Sequence, residues 1–446
     1  MSNPTTKSAG YQLPANEVHD VLSRHILADG MPIVFDWEQS KGSWLFDARS
    51  GERYLDLFSF FASQPLGYNH PRMTEPEFLG RLLRAAMCKP TNSDIYSSAM
   101  ASFVKTFAET AIPEAFRKHL FFVEGGALAV ENALKCAFDW KYRRNLAKGG
   151  PDTENLEILH FKWAFHGRSG YTMSLTNTAD PRKYQFFPRF CWPRVEHPSI
   201  HFPQDAASTA RVEAAEANTL AAMRQAFENS KDRIAAVIIE TIQGEGGDNH
   251  ARPEFFAALR ELCDERDALL IFDEVQTGMG LTGTWWAFEQ LGTVPDIFCF
   301  GKKSQVCGIA AGPRIDEVEK NVFRESSRIN STWGGSLVDM VRCEQYVRII
   351  DEDNLLDNAR SVGAHVRQSL LEVAQETGKI DNVRGQGLMI AFDFADGAAR
   401  SAAQKALFAS KVIMLPCGAR SLRFRSVLDM TRADADLAVA AIRSVL

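Results

Sequence analysis

Ala268-Leu269-Leu270-Ile271-Phe272-Asp273-Glu274-Val275-Gln276 is the stretch on which the fold turns. A short unbroken apolar run of this kind fits a strand buried on both faces, as the strands of parallel sheets are. It delivers Asp273 at its carboxyl end, where the ligands of parallel α/β sheets collect. A carboxylate at the end of a buried strand is costly unless it is paired. The protonated nitrogen of a pyridine ring is one suitable partner; an arginine, or the next turn capped by the aspartate, is the plainer alternative.

Working outward, similar apolar strands fall at His119–Val123, Glu157–Phe161, Ala235–Glu240 and Ile297–Phe300, each separated from the next by a helix-length segment. That alternation predicts a mostly parallel α/β sheet. Pro253, followed by Phe256, Leu259 and Leu262 on one face, predicts a crossover helix beside the central strand. Residues 1–65 read as irregular, with strand-like pieces at Trp44–Asp47 and Tyr54–Leu57. Residues 66–340 form the expected large unit. Residues 341–446 form a smaller α+β unit: a long helical stretch, strands at Leu388–Phe394, Val412–Leu415 and Ser421–Arg425, and a closing helix capped from Thr431 with Asp434 completing the box.

The 446 residues are 45% hydrophobic and 24% charged, with 30 Gly and 18 Pro. At roughly 150 residues per domain this is a large globular enzyme-sized chain rather than a disordered or repetitive one. A net charge of -6 without a long basic run argues against nucleic acid as partner. No apolar run approaches the roughly 20 residues that cross a bilayer, and the polar start lacks the apolar core of a secretory signal. Eight dispersed cysteines without a C-x-x-C pair fit free thiols in a reducing cytoplasm. No metal site is expected: His197 and His201 have helical spacing, but Pro198 lies between them.

Two further stretches carry chemistry. Phe298-Cys299-Phe300-Gly301-Lys302-Lys303 ends a second apolar strand in a glycine and a lysine, and a strand-end lysine in a cleft suits Schiff-base chemistry; a lone lysine is otherwise a solvated surface residue. Phe122-Val123-Glu124-Gly125-Gly126-Ala127 is a glycine turn opening a helix, which offers N–H groups to an anion or serves close packing. Gly278-Met279-Gly280-Leu281-Thr282-Gly283 matches the dinucleotide-binding pattern and makes a nucleotide-dependent dehydrogenase the rival reading. It starts five residues beyond Asp273 rather than at the strand end, which disfavours it.

Asp273-Glu274-Val275-Gln276-Thr277-Gly278, with Gly301-Lys302 downstream and Gly244-Glu245-Gly246-Gly247 upstream, resembles the class III aminotransferases, pyridoxal-phosphate enzymes of fold type I. Leu66–Pro71, Phe165-His166-Gly167-Arg168 and Leu422–Arg425 extend the resemblance over nearly the whole chain. Within the class, residues 121–135, 164–178, 301–308 and 330–335 are similar to the lysine 6-aminotransferases, as is Leu281, where most of the class has arginine. Thr241, in place of a usual proline, and Ser426-Val427, in place of Pro-Pro, depart from the pattern.

The resemblance implies a large domain with a mostly parallel seven-stranded sheet, and a smaller α+β domain drawn from the N- and C-terminal segments. It implies a homodimer with active sites at the subunit interface. Lys302 would form the Schiff base with pyridoxal 5'-phosphate and shuttle the proton, with Lys303 the weaker candidate. Asp273 would hold the pyridine nitrogen protonated and Gln276 would bond the phenolic oxygen. Phe165 and Val275 would cover the ring, Gly126 and Ala127 would bind the phosphate, and Thr332 would reach the phosphate of the neighbouring subunit. Arg168 would hold the α-carboxylate of L-lysine. Arg423 would hold that of 2-oxoglutarate, with Glu245 masking Arg423 during the lysine half-reaction. Ornithine, 4-aminobutyrate or a related ω-amino acid is the alternative donor.

Overall fold

The computed structural model describes residues 13–88, 92–150 and 155–446. Its centre is a seven-stranded sheet in the spatial order His119–Val123, Cys307–Ala311, Ile297–Phe300, Leu269–Asp273, Ile234–Glu240, Glu157–Phe161, Arg194–Val195. Cys307–Ala311 runs antiparallel to both its neighbours; the other pairs are parallel.

Successive side chains of a strand point to opposite faces, and the core divides accordingly. Leu270, Phe272, Val237, Ile239, Phe298 and Phe300 pack on one face with Phe256, Leu259 and Leu262 of the helix Pro253–Glu265. Leu269, Ile271, Ala236, Ile238, Ile297 and Cys299 pack on the other with Val130, Ala133, Leu134, Ala137 and Trp140 of the helix Gly126–Ala147. Helices on both faces leave the strand ends as the place for a cleft.

Two four-stranded sheets flank this layer. One orders Phe35–Lys41, Trp44–Asp47, Arg53–Asp56 and Val412–Ile413, so the two ends of the chain share a sheet, with Val412 paired to Leu55 in parallel. The other is antiparallel, ordered Ile380–Gln386, Met389–Phe394, Ser421–Arg425, Leu415–Cys417.

The expected strands at 119–123, 157–161, 297–300, 44–47 and 421–425 and the helix from Pro253 stand where the sequence puts them. The strand expected at Tyr54–Leu57 lies one residue earlier, at Arg53–Asp56. The single strand expected over Val412–Leu415 is two pieces broken at Met414, because Val412–Ile413 pairs in one sheet and Leu415–Cys417 in the other. Thr431 caps the last helix by accepting the Asp434 N–H at 3.1 Å. The Asp434 carboxylate does not complete the box; it accepts Trp44 Nε1–H at 2.8 Å and ties that helix to the N-terminal sheet.

Among the described residues no helix is long and apolar enough to cross a membrane, and no group of His, Cys, Asp and Glu side chains is placed to hold a metal ion. All eight cysteines are free and six are buried.

Candidate active site

The carboxyl ends of neighbouring strands place three chemical groups side by side. Glu240 and Asp273 are direct register partners at the ends of their strands, and Asp273 pairs onward with Cys299, three residues before Lys302. Above them is a cleft of about 310 Å³ lined by Gly126, Ala127, Phe165, Arg168, Asp273, Val275, Gln276 and Lys302, all singled out from the sequence, with His166, Gly167 and Glu240.

Asp273 is 5% exposed. Its Oδ1 accepts the Val275 N–H at 3.0 Å, and its Oδ2 lies 2.8 Å from Nδ1 of the buried His166. His166 Nε2 has no hydrogen-bond partner. Gln276 is oriented by Arg425, whose Nε donates to Oε1 at 3.1 Å. A guanidinium only donates, so the amide oxygen must face it and the amide nitrogen remains as donor. A Cβ at Gly244 would stand 2.2 Å from that nitrogen, so a larger residue there would push the Gln276 amide off its Arg425 partner.

Of the two adjacent lysines, only Lys302 faces the cleft. Lys303 is buried and donates to the carbonyls of Ala62 and Gln64 at 3.1 and 3.3 Å. Burial pushes the Lys302 amine down to about 8; the Arg423 charge adds to that and Asp273 opposes it. The helix Gly126–Ala147 enters the cleft with no side chain capping its first turn, so its leading N–H groups are open to an anion. A Cβ on Gly126 would meet Val275 Cγ1 at 2.9 Å.

Glu240, which the sequence reading left without a role, is fully buried. Its Oε1 accepts the Phe165 N–H at 2.9 Å and its Oε2 the Gly244 N–H at 3.1 Å. Burial raises its pKa to about 7, with His166 opposing. The signal was its place two residues past Ile238 at a strand end, but its partners lie 75 and 4 residues away. Thr241, where the class usually has proline, bonds Thr277 at 3.0 Å, and Thr277 in turn donates to Glu274.

Arg168 sits at the rim, exposed, its Nε donating to the Lys183 carbonyl at 3.1 Å. Arg423 is buried and its Nη2 lies 3.2 Å from Glu245 Oε2. The other oxygen of Glu245 is bound by Lys183, a second partner that the sequence did not suggest. Thr332 is exposed and does not line its own chain's cleft; its carbonyl accepts Ser93 Oγ at 3.0 Å.

The class III aminotransferase family model matches residues 26–446. An L-lysine-epsilon aminotransferase of Mycobacterium tuberculosis is 52% identical over 444 residues, covering 98% of this chain and 97% of that one. One from Streptomyces clavuligerus is 49% identical over 435 residues, covering 97% and 94%. A 4-aminobutyrate aminotransferase of Dictyostelium discoideum is 31% identical, covering 93% and 83%. The solved structure of a lysine aminotransferase from M. tuberculosis in its internal aldimine form superposes with a TM-score of 0.94 at 51% identity, covering 98% of this chain and 99% of that chain. Sequence, fold and cleft agree: the chain belongs to the class III aminotransferases and depends on pyridoxal phosphate.

Proposed function

We propose that the protein transfers the ε-amino group of L-lysine to 2-oxoglutarate, giving L-glutamate and 2-aminoadipate 6-semialdehyde, which cyclises to piperideine-6-carboxylate. Identity near 50% with lysine-epsilon aminotransferases over almost the full length supports lysine as donor. The observation that carries the two-substrate reading is the Glu245–Arg423 ion pair at 3.2 Å. A donor whose reacting end is a bare amine needs no cation beside the reacting carbon, whereas an α-keto acid does. A carboxylate lodged on that cation serves the first substrate and must leave for the second.

The residues fit the cofactor. The uncapped helix start at Gly126 and Ala127 suits a phosphate dianion, the buried Asp273 suits a protonated ring nitrogen, and Phe165 and Val275 line the cleft between them. When bound, pyridoxal phosphate supplies an aldehyde that captures amines and a cationic ring that takes up the electron pair of a broken C–H bond.

The chain's own groups do the rest. Asp273, steered by His166 and the Val275 N–H, holds a proton at the ring nitrogen. Gln276 Nε2, left free by the Arg425 bond to its Oε1, would donate to the phenolic oxygen. Lys302 Nζ would hold the cofactor's aldehyde carbon and, as a free amine, carry the proton to and from the substrate carbon, a role suited to an amine lowered to about 8. Arg168 binds the α-carboxylate of lysine at the rim, and Arg423 binds that of 2-oxoglutarate once Glu245 withdraws. Thr332 completes the phosphate site of the neighbouring subunit in a homodimer, which its exposure outside its own cleft supports. The smaller domain combines residues 1–65, of which 1–12 lie outside the described residues, with 341–446, a grouping supported by the pairing of Val412 with Leu55. Unpaired thiols support a cytoplasmic location, testable by fractionating the source cells.

The test is single-turnover spectroscopy of the holoenzyme with L-lysine, L-ornithine and 4-aminobutyrate in separate experiments. Rapid loss of the cofactor's visible band with lysine, and none in Lys302→Ala, is the expected result. Preference for ornithine or 4-aminobutyrate would keep the chemistry and overturn the donor.

A further inference from the structure

The Glu245 carboxylate carries two cations, one per oxygen. Arg423 Nη2 is 3.2 Å from Oε2, and Lys183 binds Oε1. Lys183 is itself built into the site. Its ammonium lies 5.9 Å from the centroid of the Phe165 ring, its carbonyl is held by Arg168 Nε at 3.1 Å, and it closes the short turn Pro181–Lys183, in which the Asp180 carboxylate accepts the Arg182 N–H at 3.1 Å. Glu245 also lines a second cavity, of about 520 Å³, together with Asp180, Arg182, Lys183, Arg400 and residues 416–419. Arg182 is occupied by Asp180.

A carboxylate leaving Arg423 has two fates. Without another cation it stands unpaired beside a partly buried wall, and its release costs the desolvation of an isolated charge. With Lys183 it keeps one ion pair throughout and turns toward a cavity where Arg400 supplies a further cation. We propose that Lys183 is a specificity-determining residue: it retains Glu245 when an α-keto dicarboxylate takes Arg423, and so lets one cleft alternate between a monocarboxylate amine and a dicarboxylate. This rests on the two-substrate reading above and adds to it the residue that makes the exchange inexpensive.

Lys183 touches neither the reacting carbon nor the proton in transit, so its loss should separate the two half-reactions instead of lowering both. In Lys183→Met, release of Arg423 becomes harder and binding of glutarate, a five-carbon dicarboxylate that cannot react, should weaken by roughly fivefold or more, the scale of a partly exposed ion pair. Calorimetric titration of the holoenzyme with glutarate reads this without turnover. The rate constant ratio of the lysine to the 2-oxoglutarate half-reaction should rise by a similar factor, and Lys183→Arg should restore most of both. In a Glu245→Gln background, where nothing masks Arg423, the further change to Met at 183 should alter glutarate binding by less than about twofold. An undiminished effect in that background, or equal losses in both half-reactions, would sink the assignment and leave Lys183 a structural residue. Failure of the wild-type protein to react with lysine, beside the expected glutarate results, would overturn the donor alone and leave Lys183 in place.

Discussion

Lys302 combines two features that ordinary surface lysines lack. Its backbone sits at φ +52°, in the left-handed region that costs a non-glycine residue about 1 kcal/mol or more, and its amine is pushed down to about 8, chiefly by burial and then by Arg423. The first aims the side chain into the cleft while Lys303, one residue on, points the other way to the carbonyls of Ala62 and Gln64. The second determines how the apoprotein takes up its cofactor. Only the neutral amine attacks an aldehyde, and lowering the pKa of a cation enlarges the neutral fraction above that pKa. The rate of covalent reconstitution with pyridoxal phosphate should therefore climb about fivefold from pH 7 to pH 8 and level off above about pH 9. Stopped-flow absorbance across that range checks it. A limb near the ordinary lysine value of 10.5 would show that the amine is not so depressed.

At the scale of elements, the decisive contact is between segments that no local pattern links. Glu240, at the end of one strand, accepts N–H groups from Phe165 and from Gly244, so one carboxylate fixes both the segment lining the cleft and the loop that carries Glu245. Glu240→Gln is isosteric, but its amide nitrogen is a donor and must face one of the two N–H groups. The variant should lose about 1–3 kcal/mol from the folded apoprotein and release cofactor faster, as thermal unfolding and dialysis against cofactor-free buffer would show; an unchanged melting temperature would mean that the loop is held elsewhere. The same distinction explains what was legible beforehand. Leu269–Asp273 and Pro253–Glu265 announce themselves through runs and spacing within a dozen residues. Arg194–Val195 has only two residues to signal a strand, and Cys307–Ala311 has Ile309 alone among four small residues, so its strand character comes from lying between two neighbours. The cleft's lining followed from motifs, whereas the roles of Glu240 and Lys183 depend on partners 75 and 62 residues distant, which a sequence reveals only once it is folded.

For the whole molecule, the question is whether one chain holds a complete site. Gly126, Ala127, Asp273, Gln276 and Lys302 converge in one cleft, but Thr332, assigned by resemblance to the phosphate, lies exposed outside that lining. A homodimer in which each Thr332 serves the opposite cleft reconciles these placements, and it makes a prediction about mixed subunits that no monomeric arrangement shares. Thr332→Val should weaken cofactor retention about tenfold or more, the scale of one hydrogen bond to a charged group, while Lys302→Ala abolishes turnover. In a hybrid of the two variants, one cleft joins the intact Lys302 of the first subunit to the intact Thr332 of the second, and the other cleft lacks both. Co-expressed with two affinity tags and assayed at cofactor concentrations too low to saturate the Thr332→Val homodimer, the hybrid should regain about half the wild-type activity per dimer. Activity no higher than the mean of the parent homodimers would place Thr332 in its own subunit's site, and a monomer in sedimentation would remove the shared site altogether.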